Sequence, residues 1–191
     1  MISIPLILQL FVLINPLSSF PVLMSAFKKK MDVKKIALMS TLVAFAIAIA
    51  VVFVGPLLFT MFGVGIDSLM IAGGVILLLL GIDTVRQDGE TGGNVNEVDG
   101  FISLIATPLL TGPATISFII LKAYGMGQMD LVINITITFV AIGALFVLFA
   151  FMVPKINTKV VGILSKIFGL FLTAIGIEMM AEGIRAMMLV G

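Results

Sequence analysis

The sequence predicts an all-α polytopic membrane protein: six transmembrane helices arranged as two inverted-topology three-helix repeats, with helices 1 and 4 broken at proline motifs. Three observations carry this expectation. Of 191 residues, 61% are hydrophobic and 11% charged, and the mean hydropathy is +1.30. A soluble domain runs at about 45–50% apolar and about 25% charged. Six apolar stretches are each long enough to cross a hydrocarbon core of roughly 30 Å. Finally, Asn15-Pro16-Leu17-Ser18-Ser19-Phe20-Pro21 returns 92 positions later as Thr107-Pro108-Leu109-Leu110-Thr111-Gly112-Pro113, with the prolines at the same spacing.

The first span, from about Ile2 to Phe27, contains the first proline pair. Proline removes a backbone donor and clashes with the carbonyl one turn back. Pro16 and Pro21 are therefore expected to free the carbonyls of Val12 and Leu17, which hydrocarbon tolerates only beside protein or a water-filled cavity. Because the first apolar run lacks the cationic flank of a cleaved signal, it reads as a retained span. The lysine-rich segment Lys28 to Lys35 follows, a topology determinant and contact for anionic membrane lipid. Spans two and three are expected at about Ile36–Phe62 and Ser68–Arg86.

The segment Gln87 to Gly100 reads as a flexible acidic, Gly-rich loop. It joins repeat one (about 1–87, loop 88–99) to repeat two (about 100–191) within a single transmembrane domain spanning 1–191. Span four, about Phe101 to Tyr124, carries the second proline pair. Span five runs from about Leu131 to Val153 and span six from about Val160 to Met187. Asn134 and Thr138, with Ser40 aligned to Thr138, are possible lining residues of a central cavity.

Two further alignments support duplication. Met31-Asp32 and Gly55-Pro56 match Met129-Asp130 and Val153-Pro154 at an offset of 98, and Gly74, Gly81, Ile82 and Asp83 match Gly169, Gly176, Ile177 and Glu178 at 95. Three spans per half is odd, so the halves lie upside down relative to each other. Inverted repeats with discontinuous helices characterise many secondary transporters, whose sites lie near the bilayer midplane. Gly162, Gly169, Gly176 and Gly183 recur every seven residues, which predicts a close-packed seam between spans three and six.

Nine cationic residues (Lys28, Lys29, Lys30, Lys34, Lys35, Arg86, Lys155, Lys159 and Lys166) flank one side of the spans, and Lys122 and Arg185 the other. The positive-inside rule makes the first side cytoplasmic. The expected location is the cell membrane, multi-pass, with both termini outside.

With no cysteine and no histidine, disulfides, thiol chemistry and the usual zinc or haem ligand sets drop out. No cofactor or metal is expected, and a net charge of +1 argues against nucleic acid. An enzyme is disfavoured, since no paired carboxylates are set for acid–base work. A purely structural subunit would not need matched polar breaks.

The candidate substrate-binding residues are Asn15, Pro16, Ser18, Ser19, Thr107, Thr111, Gly112 and Thr115. Asn15 and Ser19 are four apart, as are Thr107, Thr111 and Thr115, so each set can share a helix face. Their hydroxyls and amide offer donors and acceptors without charge. Half-helix ends add partial charges of both signs, a combination suited to a small zwitterion. Gly112 lets backbone approach closely. Asp83 and Glu178, ionisable groups within spans, are functional candidates by default. They are candidates for cation coupling, or else acids held at an interface.

The Asn15-Pro16-Leu17 break, the run from Thr107 to Ser117 and the closing Gly-Ile-Glu helix resemble the MarC family, which includes six-span transporters of small neutral amino acids. The resemblance covers nearly the whole chain; Ala114 stands where the family often has glycine. It implies secondary active transport of glycine- or alanine-sized amino acids by alternating access, coupled to H+ or Na+. A channel or facilitator for small neutral solutes is the alternative, and a homo-oligomer is compatible with the sequence.

Overall fold

A computed structural model describes residues 2–63, 65–86, 98–152 and 158–190. Every regular element among them is helical. Helix α1 (Ile4–Ile14) starts beneath Ser3, whose Oγ accepts the Leu6 N–H, and ends at Asn15, whose N–H closes on the Phe11 carbonyl. Asn15 has left-handed backbone angles, φ 44 and ψ 64, a conformation that asparagine tolerates better than most residues. Pro16 has no N–H to continue the ladder, and the chain tightens into a 3-10 turn (Pro16–Ser19) before α2 (Phe20–Lys28). One sequence expectation fails here: the Leu17 carbonyl is not freed, because the tighter turn lets the Phe20 N–H reach it.

Helix α3 (Val33–Met61) begins under Asp32, whose Oδ1 accepts the Lys35 N–H at 3.1 Å. It continues through Pro56, and the carbonyl of Pro56 accepts hydrogen bonds from Thr60 Oγ1 and from the Tyr124 hydroxyl, both at 2.9 Å. After the turn at Gly63 (φ 65) comes α4 (Ile66–Arg86). The expected acidic loop lies outside the described residues for positions 88–97, and its last two residues are already helical in α5 (Val98–Leu104). A π turn (Ile105–Leu110) follows, then α6 (Pro113–Gly125), α7 (Gln128–Met152) and α8 (Thr158–Val190).

Four of these helices are long and apolar enough to cross a membrane: Val33–Met61, Ile66–Arg86, Gln128–Met152 and Val160–Met188. They match the expected spans two, three, five and six to within a few residues. The expected spans one and four instead consist of consecutive short pieces, of 11, 4 and 9 residues and of 7, 6 and 13 residues. The described residues therefore contain four helices of full spanning length, and the two segments expected to be broken at their prolines are built of shorter pieces.

Packing is most extensive between α4 and α8, then between α3 and α7. Helix α1 packs on α7 and α8, whereas α6 packs on α3 and α4. The α4/α8 contact is made by glycines. A Cβ placed on Gly74 would sit 2.5 Å from the Gly176 carbonyl oxygen, and one on Gly81 would sit 2.7 Å from that of Gly169. Gly183 lies equally close to the Asp67 carbonyl, at 2.8 Å. Without side chains between them, the two backbones reach contact distance, which is how small residues hold membrane helices together. Gly162 departs from the expected seam among the described residues, none of which lies within 4 Å of a Cβ built there.

Candidate functional site

The two proline motifs meet. The 3-10 turn of Pro16–Ser19 contacts the π turn of Ile105–Leu110, and α3 and α5 pack against the latter. Both turns have the same chemical origin, a proline that cannot donate and whose ring crowds the preceding carbonyl. In the first motif the helix tightens. In the second it widens to i→i−5 bonding, with the Thr111 N–H reaching the Ala106 carbonyl at 3.1 Å. The Thr111 hydroxyl donates to the same carbonyl at 2.6 Å, so its oxygen keeps lone pairs to accept from a third group.

Asn15, Ser19, Thr111 and Thr115 are all buried, at 4%, 0%, 1% and 3% exposure. The Ser19 hydroxyl has no hydrogen-bond partner among the described residues. An unsatisfied buried hydroxyl costs on the order of 1–3 kcal/mol, so a ligand atom that bonded it would recover part of that energy. Gly112 caps α6 with an extended backbone (φ −65, ψ 175) and no side-chain bond. The positive end of α6 is thus left without a polar side-chain cap. The C-terminal, negative end of α1 lies at Asn15, and α1 also contacts α6. Ser18 and Thr107 lie on the two turns, with their side chains outside the described set; Pro16 opens the 3-10 turn and is itself buried.

Ser40, aligned with Thr138 in the sequence, has a fully buried hydroxyl with no hydrogen-bond partner among the described residues; it lies on α3, the helix against which the π turn packs. Asn134 and Thr138, expected as cavity residues, are engaged elsewhere. Asn134 Oδ1 accepts the Ser3 N–H at 2.7 Å and its Nδ2 donates to the Asp130 carbonyl, while Thr138 Oγ1 donates to the Asn134 carbonyl. Asn134 therefore fastens the start of α1 to α7. No pattern in the sequence points to this contact, because its partner is a backbone N–H 131 positions away.

Asp83 and Glu178 are exposed. Each follows a seam glycine by two residues, which turns it away from the α4/α8 contact. Among the described residues no group of three acidic side chains converges to hold a metal ion.

A family model described as "MarC family integral membrane protein" matches residues 2–188. A UPF0056 membrane protein of Methanocaldococcus jannaschii is 31% identical over 95% of each chain. Others are found in Aquifex aeolicus, 27% identical over 93% of this chain and 90% of its own, and in Escherichia coli, 28% identical over 92% and 88%. No solved structure matches this chain.

Proposed function

From the premise that the chain belongs to the MarC family of integral membrane proteins, we propose that it is a secondary active transporter of small neutral amino acids, of the glycine and alanine class. The observation that carries the proposal is the contact between the two proline-broken turns, surrounded by buried, uncharged hydroxyl and amide groups. The uncapped start of α6 suits a carboxylate and the end of α1 suits an ammonium. Ser19, Thr111 and Thr115, with Asn15, Gly112 and the neighbouring Pro16, Ser18 and Thr107, would surround the backbone of the amino acid.

Alternating access and the inverted repeat belong to the same proposal, and the packing pairs support them. Helix α1 lies on α7 while its counterpart α5 lies on α3. Exchanging the two halves converts one pair into the other. The seam behaves likewise, since Gly74 meets Gly176 and Gly81 meets Gly169, pairs that interchange under the offset of 95. Two near-equivalent halves permit two near-equivalent arrangements open to opposite sides. Burial of the polar side chains at the two turns fits an arrangement closed around them. Six membrane crossings, with the lysine-rich end cytoplasmic and both termini outside the cell membrane, complete the picture. Asp83 and Glu178 are the proposed coupling groups for H+ or Na+.

The test is calorimetric titration of glycine and alanine into the purified full chain, beside Thr111→Val and Thr115→Val. Saturable binding by the parent, lost in both variants at unchanged melting temperature, is the expected result. Binding that is indifferent to both substitutions would remove the site from the two turns.

A further inference from the structure

A groove of about 700 Å³ runs along the outside of the α3/α7 pair. On α3 it is lined by Leu38, Thr41, Leu42 and Phe45, and on α7 by residues from Thr136 to Phe151, with Gly143 and Ala144 among them. Leu42, Val140 and Phe151 are 52%, 67% and 60% exposed. Both hydroxyls in the lining already give their one proton within their own helices: Thr41 Oγ1 donates to the Ala37 carbonyl and Thr136 Oγ1 to that of Val132. The groove thus offers hydrocarbon contact and almost no hydrogen bonding, which disqualifies it as a seat for a free amino acid.

One end of the groove is charged. Lys34, Leu38, Thr41, Leu42 and Phe45 follow i, i+4, i+7, i+8, i+11 spacing, so the lysine continues the groove-lining face of α3 beyond its apolar part. Its Nζ lies 3.9 Å from the centre of the Phe151 ring, the last groove residue on α7. From Thr136 to Phe151 the groove extends roughly 22 Å at 1.5 Å per residue, longer than one leaflet of a hydrocarbon core about 30 Å thick.

We propose that this groove holds one acyl chain of an anionic phospholipid, with the phosphate engaged by Lys34. Charge complementarity selects this occupant. The groove lies on two membrane-crossing helices, its apolar length suits a lipid tail, and its cationic mouth suits an acidic headgroup. A second copy of the chain fits less well. A two-fold axis normal to the membrane would bring its Lys34 and Lys35 to the same depth, opposing like charges. The proposal stands independently of the transport reading.

The experiment reconstitutes the full chain in equimolar phosphatidylglycerol and phosphatidylcholine with identical acyl chains, re-extracts it in mild detergent, and quantifies retained lipid by native mass spectrometry. The expected result is retention of phosphatidylglycerol over phosphatidylcholine. Lys34→Gln should reduce this preference about fivefold, the equivalent of the ~1 kcal/mol that one cation is worth near an anionic lipid surface. Ala144→Phe, which fills the groove, should abolish it. Lys122→Gln, which removes a cation lying over the Phe118 ring on α6, should leave it unchanged. If Ala144→Phe fails to fold, Leu42→Trp at the exposed wall makes the same test. Equal retention of the two lipids, or insensitivity to Lys34 and to filling, would overturn the proposal. So would a dimer that Ala144→Phe splits, since the groove would then belong to a second copy.

Discussion

Replacing Gly176 by alanine adds one methyl group within the close contact of α4 and α8. That carbon would lie 2.7 Å from the Gly74 carbonyl oxygen, 2.8 Å from the Leu78 nitrogen and 3.0 Å from the Leu77 Cβ. Two of these neighbours are backbone atoms, so relief requires α4 and α8 to separate rather than a side chain to rotate. Overpacking of this kind costs about 1–3 kcal/mol. Against it stands alanine's helix preference over glycine, about 1 kcal/mol. Gly162→Ala on the same helix gains the same preference and meets none of the described residues within 4 Å. The difference between the two variants cancels the propensity term and isolates the seam, at ~1–3 kcal/mol, or roughly five- to hundred-fold in the folding equilibrium. Unfolding in mixed detergent micelles, followed by circular dichroism, reads that difference. Equal stability of the two variants would refute the close-packed seam. Gly176→Leu should prevent normal assembly altogether.

Three other outcomes are expected. Asn15→Gly should keep the left-handed turn yet lose amino acid binding, whereas Asn15→Ala should in addition lose about 1–2 kcal/mol of stability from the turn itself; a thermal melt beside a binding titration separates the two effects. Asn134→Leu removes the acceptor for the Ser3 N–H and should cost ~1–3 kcal/mol, read as faster hydrogen exchange in the first turn of α1 with no direct change in substrate selectivity. Glu178→Gln and Asp83→Asn sit at exposed positions and should fold normally; if either carboxylate couples transport to a gradient, its variant will exchange labelled for unlabelled amino acid but no longer accumulate it, and full accumulation by both would exclude that role.

The seam was legible in the sequence because close packing leaves a compositional trace: glycine every seventh residue, matched in register on α4. The departure at Gly162, where no described residue comes within 4 Å of an added Cβ, was not, since the same seven-residue spacing runs on along α8. The proline motifs announced interruptions, but not their form. Whether a helix meets a missing N–H by tightening, as at Leu17 and Phe20, or by widening, as at Ala106 and Thr111, depends on what packs against it. That same choice explains why the Leu17 carbonyl, expected to be free, is occupied. Ser40 and Asn134 illustrate the remaining gap. Both are polar residues on apolar helices, and only the fold decides that one hydroxyl is buried with no partner among the described residues while one amide binds a distant backbone N–H. The exposure of Glu178 and Asp83 followed from their position two residues past seam glycines, which places them off the contact face of each helix.

Accumulation of a small neutral amino acid through the paired proline turns is measured by uptake of labelled glycine and alanine into proteoliposomes holding the purified chain, under an imposed proton gradient, an imposed sodium gradient, or neither. Accumulation above equilibrium under one gradient, and its loss in Thr111→Val, is the expected result. Equilibration that no gradient can drive further would contradict active transport and favour a facilitator, and no flux of either amino acid would contradict the substrate class.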